Sequence, residues 1–505
     1  MKKSKQLLKN TLFMTLGAMA LRGGSIAFNA YLNRTLGAVG MGFAGLVMTV
    51  FSLTVTFSSA GISLGVTRLV SEEKYPLKPV IQYGCLYGLG ISIPIAIILF
   101  VFSFSIAQSW LGEPAAAFSL RILAPLLPVI AISSVFRGYF LAVRGVIRHT
   151  GILISEMILR SAVTIFLLSN IDLKDPGESC LCLVLGMCAG EFFSFFLSYL
   201  LYLPEKRRKE KGSEKGLLLA LVRIAVPDAM GASFRSTLSA TEHLLIPVGL
   251  QKHGSNRENA LASYGIIHSM ALPVVLFPSA LLRSISSLMV PELASKSKNE
   301  QQTTVTQVLH LSTLYSIFCA GVLYVFADAL SFNLYGTSAA TSLIRAFALL
   351  IPVMFADTAV DGMLKGLDAQ LYVMKINILD SMISVVSVWF LLPMGGIAAY
   401  IVIIVSCEVL NFILSVIKLR KLCAFDFNHI KSIVTPTIYT LLSAGAGIGL
   451  YLYIPSIIGL MGGLALSFVF YLGFLLLSGK IPLWITKTSK PYSANIPERS
   501  VHQKS

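Results

Sequence analysis

The sequence predicts an all-α, polytopic membrane protein with about fourteen transmembrane helices. Of its 505 residues, 55% are hydrophobic and only 13% are charged, whereas about a quarter of residues are charged in soluble domains. Apolar runs of roughly 20 residues recur along nearly the whole chain, and an α-helix needs that length to cross about 30 Å of hydrocarbon. A membrane β-barrel would instead show shorter segments of strict alternation.

A strongly basic stretch divides the apolar sequence and fixes its orientation. Pro204 to Gly216, PEKRRKEKGSEKG, carries six Lys/Arg in thirteen residues, with about six spans before it and about eight after it. With the N-terminus inside, 25 of the 40 Lys/Arg fall in cytoplasmic segments, and only four (Arg34, Lys174, Lys252 and Arg257) lie outside. This positive-inside bias predicts cytoplasmic termini. It assigns the net charge of +16 to membrane lipid and not to nucleic acid.

The predicted division of the chain follows from these spans. An N-terminal lobe of helices 1 to 6 covers residues 1–203, and the basic cytoplasmic linker covers residues 204–216. A C-terminal lobe of helices 7 to 12 covers residues 217–425, and helices 13 and 14 cover residues 426–478. The polar tail, residues 479–505, is expected to be disordered and cytoplasmic.

The two lobes are predicted to repeat each other. LRILAPLLPVI at residues 120–130 aligns with IRAFALLIPVM at residues 344–354, and the same offset of 224 superposes Gly138 on Gly362. Six helices in each half keep the repeats parallel, with a pseudo-two-fold axis along the membrane normal. We therefore expect two parallel six-helix lobes around a central cavity, plus two C-terminal helices. Transporters commonly place their substrate site in such a cavity.

Several arginines lie inside predicted spans. A cation at mid-bilayer costs roughly 2.5 to 3.5 kcal/mol, so it usually faces the bundle interior or an aqueous cavity. Arginine suits phosphate because its planar fork is always charged and donates in pairs. Glu156 is four residues before Arg160, a spacing that allows an ion pair on one helix face, so a structural role for Arg160 stays open. The candidate anion-binding residues are Arg22, Arg137, Arg160, Arg235 and Arg283.

Acidic and histidine side chains also enter the spans. Glu242 stands next to His243, with His268 in the adjoining span, and this group is the best candidate for proton coupling. Asp361 in the tenth span extends the ion-coupling set to a possible sodium or proton site. Two alternatives stay open, since the carboxylates could neutralise the arginines and intramembrane histidines often only pack.

The sequence gives little support for catalysis or metal binding. It has no GxxxxGK[ST] or HExxH, and its seven cysteines show no paired CxxC spacing. Its one GxSxG match, GISLG at residues 61–65, lies in a predicted span and not in the strand-to-helix turn that a nucleophilic serine needs. The short outer loops argue against a membrane polymerase or ligase. We therefore expect a transporter and not an enzyme, with no metal site and no cofactor beyond a coupling ion.

Five segments carry a family resemblance that covers nearly all fourteen spans. They resemble the polysaccharide-transporter and stage V sporulation protein B group of the multidrug, oligosaccharidyl-lipid and polysaccharide exporter superfamily. The segments are SSAGISLGVTRLVSEEK (58–74), LRILAPLLPVIAISSVFRGYF (120–140), TEHLLIPVGLQ (241–251), YGIIHSMALPVVLFPSALLRSISSLMVPELA (264–294) and the region 364–381.

The resemblance implies a flippase that moves an undecaprenyl-pyrophosphate-linked oligosaccharide or peptidoglycan precursor from the inner to the outer leaflet by alternating access. Arg22 matches by position a cavity arginine of related lipid II flippases. Two departures from the family pattern matter. Residues 137–142 read RGYFLA where RGYFQG is expected, and Glu156 stands where glutamine is common.

The leading hypothesis assigns Arg22, Arg137, Arg235 and Arg283, with Arg160, to the pyrophosphate. It places the chain in a bacterial plasma membrane, with cell-wall synthesis proteins as possible partners and sporulation as one possible setting. Two alternatives are an ion-coupled drug or cation exporter of the same superfamily and a noncatalytic scaffold for cell-wall synthesis.

Overall fold

A computed structural model describes residues 2–72, 74–143, 145–171, 176–203, 216–294, 296–423, 425 and 433–478. These residues are helical almost throughout, with no strand among them. By length and apolar composition, ten helices could cross a membrane, or eleven if the bent pair Ala116–Leu123 and Leu126–Ala142 forms one span. The predicted all-α, polytopic fold class is therefore confirmed. The basic run 204–215 and the tail 479–505 lie outside the described residues.

Eight helices form the N-terminal lobe. They are α1 (Lys2–Ser59), α2 (Ile62–Ser71), α3 (Leu77–Val101), α4 (Ser103–Ser109), α5 (Ala116–Leu123), α6 (Leu126–Ala142), α7 (Val146–Asn170) and α8 (Pro176–Tyr202).

The remaining helices form the C-terminal lobe and its extension. They are α9 (Leu217–Lys252), α10 (Arg257–Gly265), a π-helix (Ile266–Ala271), α11 (Leu272–Leu276), α12 (Ser279–Ala294), α13 (Lys298–Val325), α14 (Ala327–Tyr335), α15 (Thr341–Gly366), α16 (Gln370–Leu422), α17 (Thr435–Tyr453) and α18 (Ile457–Leu477).

Two of these helices are too long for one crossing. Helix α1 has 58 residues and α16 has 53, about 80 to 90 Å at 1.5 Å per residue, against about 30 Å of hydrocarbon. Each contains one glycine with non-helical backbone angles, Gly37 (φ 68°, ψ 178°) and Gly396 (φ 56°, ψ −142°). Positive φ is costly for residues with a Cβ, so these glycines let each helix fold back. Each of the fourteen predicted spans overlaps a helix, half of a broken helix, or a run of adjacent helices.

The internal repeat is visible in the backbone and in its packing. Phe102, between α3 and α4, and Phe326, between α13 and α14, share φ −88° and ψ 7° at the offset of 224. Gly138 lies against the backbone of Ser63, and its counterpart Gly362 lies against Ser286. The two lobes therefore use the same close crossing between corresponding helices.

The lobes contact each other closely at the seam between α1 and α10. A Cβ on Gly42 would lie 2.0 Å from the Leu261 carbonyl oxygen, and one on Gly265 would lie 2.2 Å from that of Ala38. Real Cβ atoms do not approach other atoms so closely. The backbones therefore touch only because both positions are glycine, and we call this contact the outer seam.

Two arginines reinforce the outer seam on the side predicted to face outward. Arg257 of α10 forms an ion pair of 3.0 Å with Glu113 and donates to the Leu111 carbonyl at 3.0 Å. Arg34 of α1 donates to the Leu334 carbonyl at the end of α14, at 2.9 Å. Each contact joins the N-terminal lobe to the C-terminal lobe, so the outer side is closed.

Helix α9 passes from one lobe to the other on the opposite side. Its first turns bury Leu217 and Leu221 in a hydrophobic cluster of the N-terminal lobe, whereas Ile246 and Leu250 are buried in the main core. Between them, residues 226–239 have many exposed side chains. The middle of α9 therefore runs between the lobes with side chains that neither lobe buries.

Candidate functional site

Arginines from opposite lobes meet where α1 faces α11 and α12. Arg22 of α1 donates from Nη1 to the Leu276 carbonyl at 3.0 Å and to Ser279 Oγ at 3.1 Å. Arg283, one turn after Ser279 on α12, is near enough to act electrostatically on Arg22. Within the described part of the chain, neither guanidinium has an ion pair with a carboxylate. Two unneutralised cations at one place form a site suited to an anion of two or more charges.

Arg235 is placed differently from this pair. It is exposed on the middle stretch of α9 that bridges the lobes. Its neighbours Phe234 and Thr237 are also exposed, and no ion pair of Arg235 occurs among the described residues. It can therefore supply a third cation on this exposed stretch of α9, but no contact joins it to Arg22 or Arg283.

Arg137 differs from the expectation for an anion ligand. Its Nη2 lies 3.2 Å from Glu191 Oε2 and 3.7 Å from Glu156 Oε2, and all three side chains are largely buried. Glu156 thus pairs across helices with Arg137, and no ion pair joins it to Arg160 despite the four-residue spacing. Two carboxylates neutralise Arg137, so its contacts are those of a packing group inside the N-terminal lobe.

Arg160 keeps free donor capacity inside that lobe. Its Nε has no hydrogen-bond partner. It lines a cavity of about 320 Å³ together with polar side chains of α1 and α7 and with two residues of the π-helix in the other lobe. The polar lining residues are Ser25, Asn29, Arg160, Thr164, His268 and Ser269.

The proposed ion-coupling residues separate into two neighbouring groups. Glu242, His243 and His268 line one cavity of about 450 Å³, together with Tyr400 and Glu408. Asp361 does not line that cavity. Glu408 is not among the site residues predicted from the sequence.

Asp361 belongs to a network of carboxylates and amides between α15 and α16. Asn377 Nδ2 donates to Asp361 at 3.5 Å, and Asn411 Nδ2 donates to Asn377 Oδ1 at 3.0 Å. Asp357 is only 9% exposed. The Oδ1 atoms of Asp357, Asp361 and Asp380 are buried and have no hydrogen-bond partner. Sequence reasoning missed the two asparagines, although polar amides inside apolar spans were a signal. The network has spare acceptors that suit a cation.

A separate, largely apolar cavity lies between the C-terminal lobe and α17. It measures about 610 Å³, and among the described residues that line it only Arg420, near the end of α16, is charged. Its walls come from four helices, and among its lining residues are Ile317, Val353, Phe412 and Leu441. Such a groove suits a hydrocarbon chain with a polar group at one end.

Comparisons with known proteins agree with this architecture. A family model described as "Polysaccharide biosynthesis protein" matches residues 7–240, and one described as "MatE" matches residues 254–391. Stage V sporulation protein B of Bacillus subtilis (strain 168) is 23% identical over 383 residues, which are 72% of this chain and 73% of that protein.

Solved structures share the fold at low sequence identity. The lipid II flippase MurJ in an inward closed conformation matches with a TM-score of 0.70 and 12% identity, over 92% of this chain and 99% of that one. An inward-facing multidrug resistance MATE family transporter of the MOP superfamily matches with a TM-score of 0.58 and 13% identity, over 82% of this chain and 97% of that one. The families and folds are those of transporters, and the chain is a multi-pass membrane protein. The resemblance recognised from the sequence is confirmed: the two family models together match most of the chain, and stage V sporulation protein B is similar to it over 72% of its length.

Proposed function

We propose that this protein flips an undecaprenyl-pyrophosphate-linked oligosaccharide, such as a peptidoglycan precursor, from the inner to the outer leaflet by alternating access. The observation that carries the proposal is that Arg22 contacts the other lobe at Leu276 and Ser279, one turn from Arg283. Neither arginine has a carboxylate partner among the described residues. A diphosphate bridging them would offset their repulsion and hold the lobes at the same relative position. A cationic cargo would add to the repulsion.

The arginines have graded roles in this proposal. Arg22 and Arg283 bind the diphosphate, and Arg235 meets it along the exposed stretch of α9. Arg160 contacts the adjoining part of the headgroup from the cavity in the N-terminal lobe. Arg137, neutralised by Glu156 and Glu191, keeps α6, α7 and α8 in place and does not contact the substrate.

The apolar cavity beside α17 supports a lipid substrate. At about 610 Å³ it lies within the roughly 300 to 1,000 Å³ of ligand cavities in proteins, so it can hold part of a hydrocarbon chain. In the proposed cycle, the first isoprenoid units of the lipid lie in this groove while the diphosphate enters between the lobes. The closed outer seam and the bridging α9 support loading from the cytoplasmic leaflet.

A coupling cation is part of the proposal. The candidates are Na⁺ and H⁺, held by Glu242 with His243 and His268 and by Asp361 with its neighbours Asp357 and Asp380. Their unpaired carboxylate oxygens support a cation in this lobe, since oxygen ligands suit hard cations.

The same carboxylates favour a second candidate, an ion-coupled exporter of cationic drugs. This alternative predicts that Glu242 and Asp357 bind the cargo and that Arg22 and Arg283 are dispensable. A noncatalytic scaffold for cell-wall synthesis predicts that both sets are dispensable. For the flippase we further propose a bacterial plasma membrane, cytoplasmic termini and contact with cell-wall synthesis proteins.

The test is direct binding and transport with purified protein in proteoliposomes. Binding of an undecaprenyl-pyrophosphate glycan and its appearance in the opposite leaflet are measured for wild type, Arg22→Ala and Arg283→Ala. Arg345→Ala is the matched control, because Arg345 pairs with Asp328 at a partly exposed surface. Loss of binding and of transport in Arg22→Ala and Arg283→Ala, with both kept in Arg345→Ala, supports the proposal. Unchanged activity in them, or no binding by wild type, refutes it.

A further inference from the structure

A group of aromatic and imidazole side chains lies at the outer seam and is not explained by binding of a diphosphate lipid. We call Thr49, His243, Tyr264, His268 and Tyr400 the seam cluster. His243 Nδ1 lies 3.0 Å from the Tyr264 hydroxyl, and the Tyr400 hydroxyl lies 3.2 Å from His268 Nε2. The two imidazole rings are 4.5 Å apart, centroid to centroid. The cluster joins α9, α10, the π-helix and α16 to α1 of the other lobe.

The contact that crosses between the lobes is the one from Tyr264 to Thr49. Their hydroxyl oxygens are 3.5 Å apart, and Thr49 already donates its proton to the Gly45 carbonyl at 2.9 Å. Tyr264 is only 2% exposed, and its ring lies against Gly45. A hydrogen bond across the seam therefore requires the tyrosine proton.

Two proton arrangements fit this geometry. When His243 is neutral with its proton on Nε2, Nδ1 accepts the Tyr264 proton, and no proton remains between Tyr264 and Thr49. When His243 is protonated, Nδ1–H donates to the Tyr264 oxygen, and the tyrosine O–H turns to Thr49. A neutral ring with its proton on Nδ1 would also donate to the Tyr264 oxygen. For a neutral ring in the Nε2–H form, gain of a second proton therefore decides whether the lobes share this hydrogen bond.

The charged and titratable surroundings allow one proton, not two. Like charges only 4.5 Å apart oppose each other, so the His243 and His268 pair favours a single proton. The titratable groups that face the pair are Glu242 from α9, Tyr264 from α10, Tyr400 and Glu408 from α16, and Arg160 from α7 across the neighbouring cavity. Described α1 residues at this contact, such as Thr49 and Asn33, are neutral.

We propose that His243 is a proton-operated latch of the outer seam. Protonation of its ring sends the Tyr264 proton to Thr49 and favours the closed outer side, whereas deprotonation frees the lobes to separate. Opening of the seam exposes the cluster to the outer medium, so the proton is taken up from outside and closes the seam again. The inference deepens the proposed function by naming the proton as an ion that biases alternating access, and it rests on that function only for its use in transport.

The test measures the seam without substrate, using the full chain in lipid nanodiscs. Hydrogen exchange of the segments 38–49 and 260–268, corrected for the intrinsic rate, is compared between about pH 3.5 and about pH 8, which includes the range in which imidazoles titrate. Selective labelling of histidine follows protonation of His243 by NMR. In wild type, we expect about two- to tenfold more protection where His243 is protonated, the range of one net hydrogen bond.

Three variants separate the latch from general effects of pH. His243→Gln removes the titrating ring, and Thr49→Val removes the acceptor on the other lobe while leaving the ring in place. His253→Gln is the matched control, since His253 contacts the Pro393 carbonyl in the outer loops and is exposed.

The proposal predicts that the pH response of the seam is lost in His243→Gln and kept in His253→Gln. In Thr49→Val, the His243 resonance still titrates but the seam no longer responds. A wild type with no response, or a response that survives in His243→Gln or Thr49→Val, overturns the proposal. If His243→Gln does not fold, Thr49→Val decides alone. Failure to bind a diphosphate lipid would refute the proposed function and leave this result unchanged.

Discussion

Arg22 of α1 donates a hydrogen bond of 3.1 Å to Ser279 at the start of α12, and it thereby joins the two lobes. Ser279 is only 2% exposed and also donates to the Leu276 carbonyl at 2.7 Å. Arg22 is thus held in place beside Arg283 without losing its charge to a carboxylate. A cation held in this way loses little side-chain entropy when an anion binds, so Arg22 is preorganised for a diphosphate.

The two arginines should be energetically coupled through their ligand. A hydrogen bond to a charged group contributes about 1.5 to 3 kcal/mol, so we expect Arg22→Ala or Arg283→Ala to weaken binding of a diphosphate lipid by about 10- to 150-fold. The double variant should deviate from additivity by at least about 0.5 kcal/mol, as expected for residues in contact with one group. Titration calorimetry or native mass spectrometry measures the four affinities.

Additive losses would contradict a shared diphosphate. Repeating the titration with a lipid monophosphate gives a second check, because the coupling should fall when one ligand group can no longer reach both guanidinium groups.

Arg137 should matter for stability more than for binding. Removing one partner of a buried ion pair costs about 3 to 5 kcal/mol, because it leaves uncompensated charge. Arg137→Met leaves Glu156 and Glu191 together without their cation and should lower the melting temperature clearly. Arg68→Met removes a largely exposed pair with Glu72 and should cost less than about 1 kcal/mol. Thermal unfolding in detergent compares the variants.

One outcome would contradict this prediction and support a role for Arg137 in substrate binding. If Arg137→Met keeps the melting temperature of wild type but loses diphosphate binding as Arg22→Ala does, its two carboxylate contacts are not what holds it.

The sequence was sufficient for the fold class, because hydropathy and charge asymmetry are summed over hundreds of residues. It also located both glycines of the repeat, Gly138 and Gly362, since an offset of 224 is a one-dimensional property. Ion pairs between helices are not a one-dimensional property, because they depend on how the helices pack. The four-residue spacing favoured Glu156 with Arg160, but the tilt of α6 against α7 and α8 brings Arg137 to Glu156 at 3.7 Å.

The seam cluster shows the same limit. Tyr264 and Tyr400 are 136 residues apart, and nothing in either segment indicates that both meet a histidine. The neighbouring pair Glu242 and His243 could be noticed because the two residues are adjacent, whereas Thr49 enters only through the crossing of α1 over α10. Contacts across a lobe interface depend on helix placement, which local patterns do not encode.

The outer seam should not tolerate a methyl group. Gly42→Ala would place a Cβ 2.0 Å from the Leu261 carbonyl oxygen, and Gly265→Ala would place one 2.2 Å from that of Ala38. We expect either change to separate α1 from α10 and to increase hydrogen exchange of both segments. If the separation destabilises the closed outer side by at least about 1.4 kcal/mol, transport falls at least about tenfold. Gly473→Ala on α18 is the control, because nothing lies within 4 Å of its Cβ position. Wild-type exchange in Gly42→Ala would mean that this contact does not hold the outer side closed.

The apolar cavity beside α17 should be selective for the chain length of the lipid. Val353 lines it, and Val353→Trp would fill part of the volume needed by an isoprenoid chain. A chain displaced into the bilayer or micelle stays in hydrocarbon, so it forfeits packing contacts of about 0.1 to 0.2 kcal/mol each. Losing about ten of them should weaken binding of an undecaprenyl diphosphate roughly tenfold. A water-soluble diphosphate with a short chain should bind as it does to wild type.

Phe332→Trp is the matched control, since Phe332 is 62% exposed on α14 and does not line the cavity. Equal loss for the short and the long ligand would place the effect of Val353→Trp on the diphosphate site or on folding, and equal retention would show that the chain lies elsewhere in the bilayer.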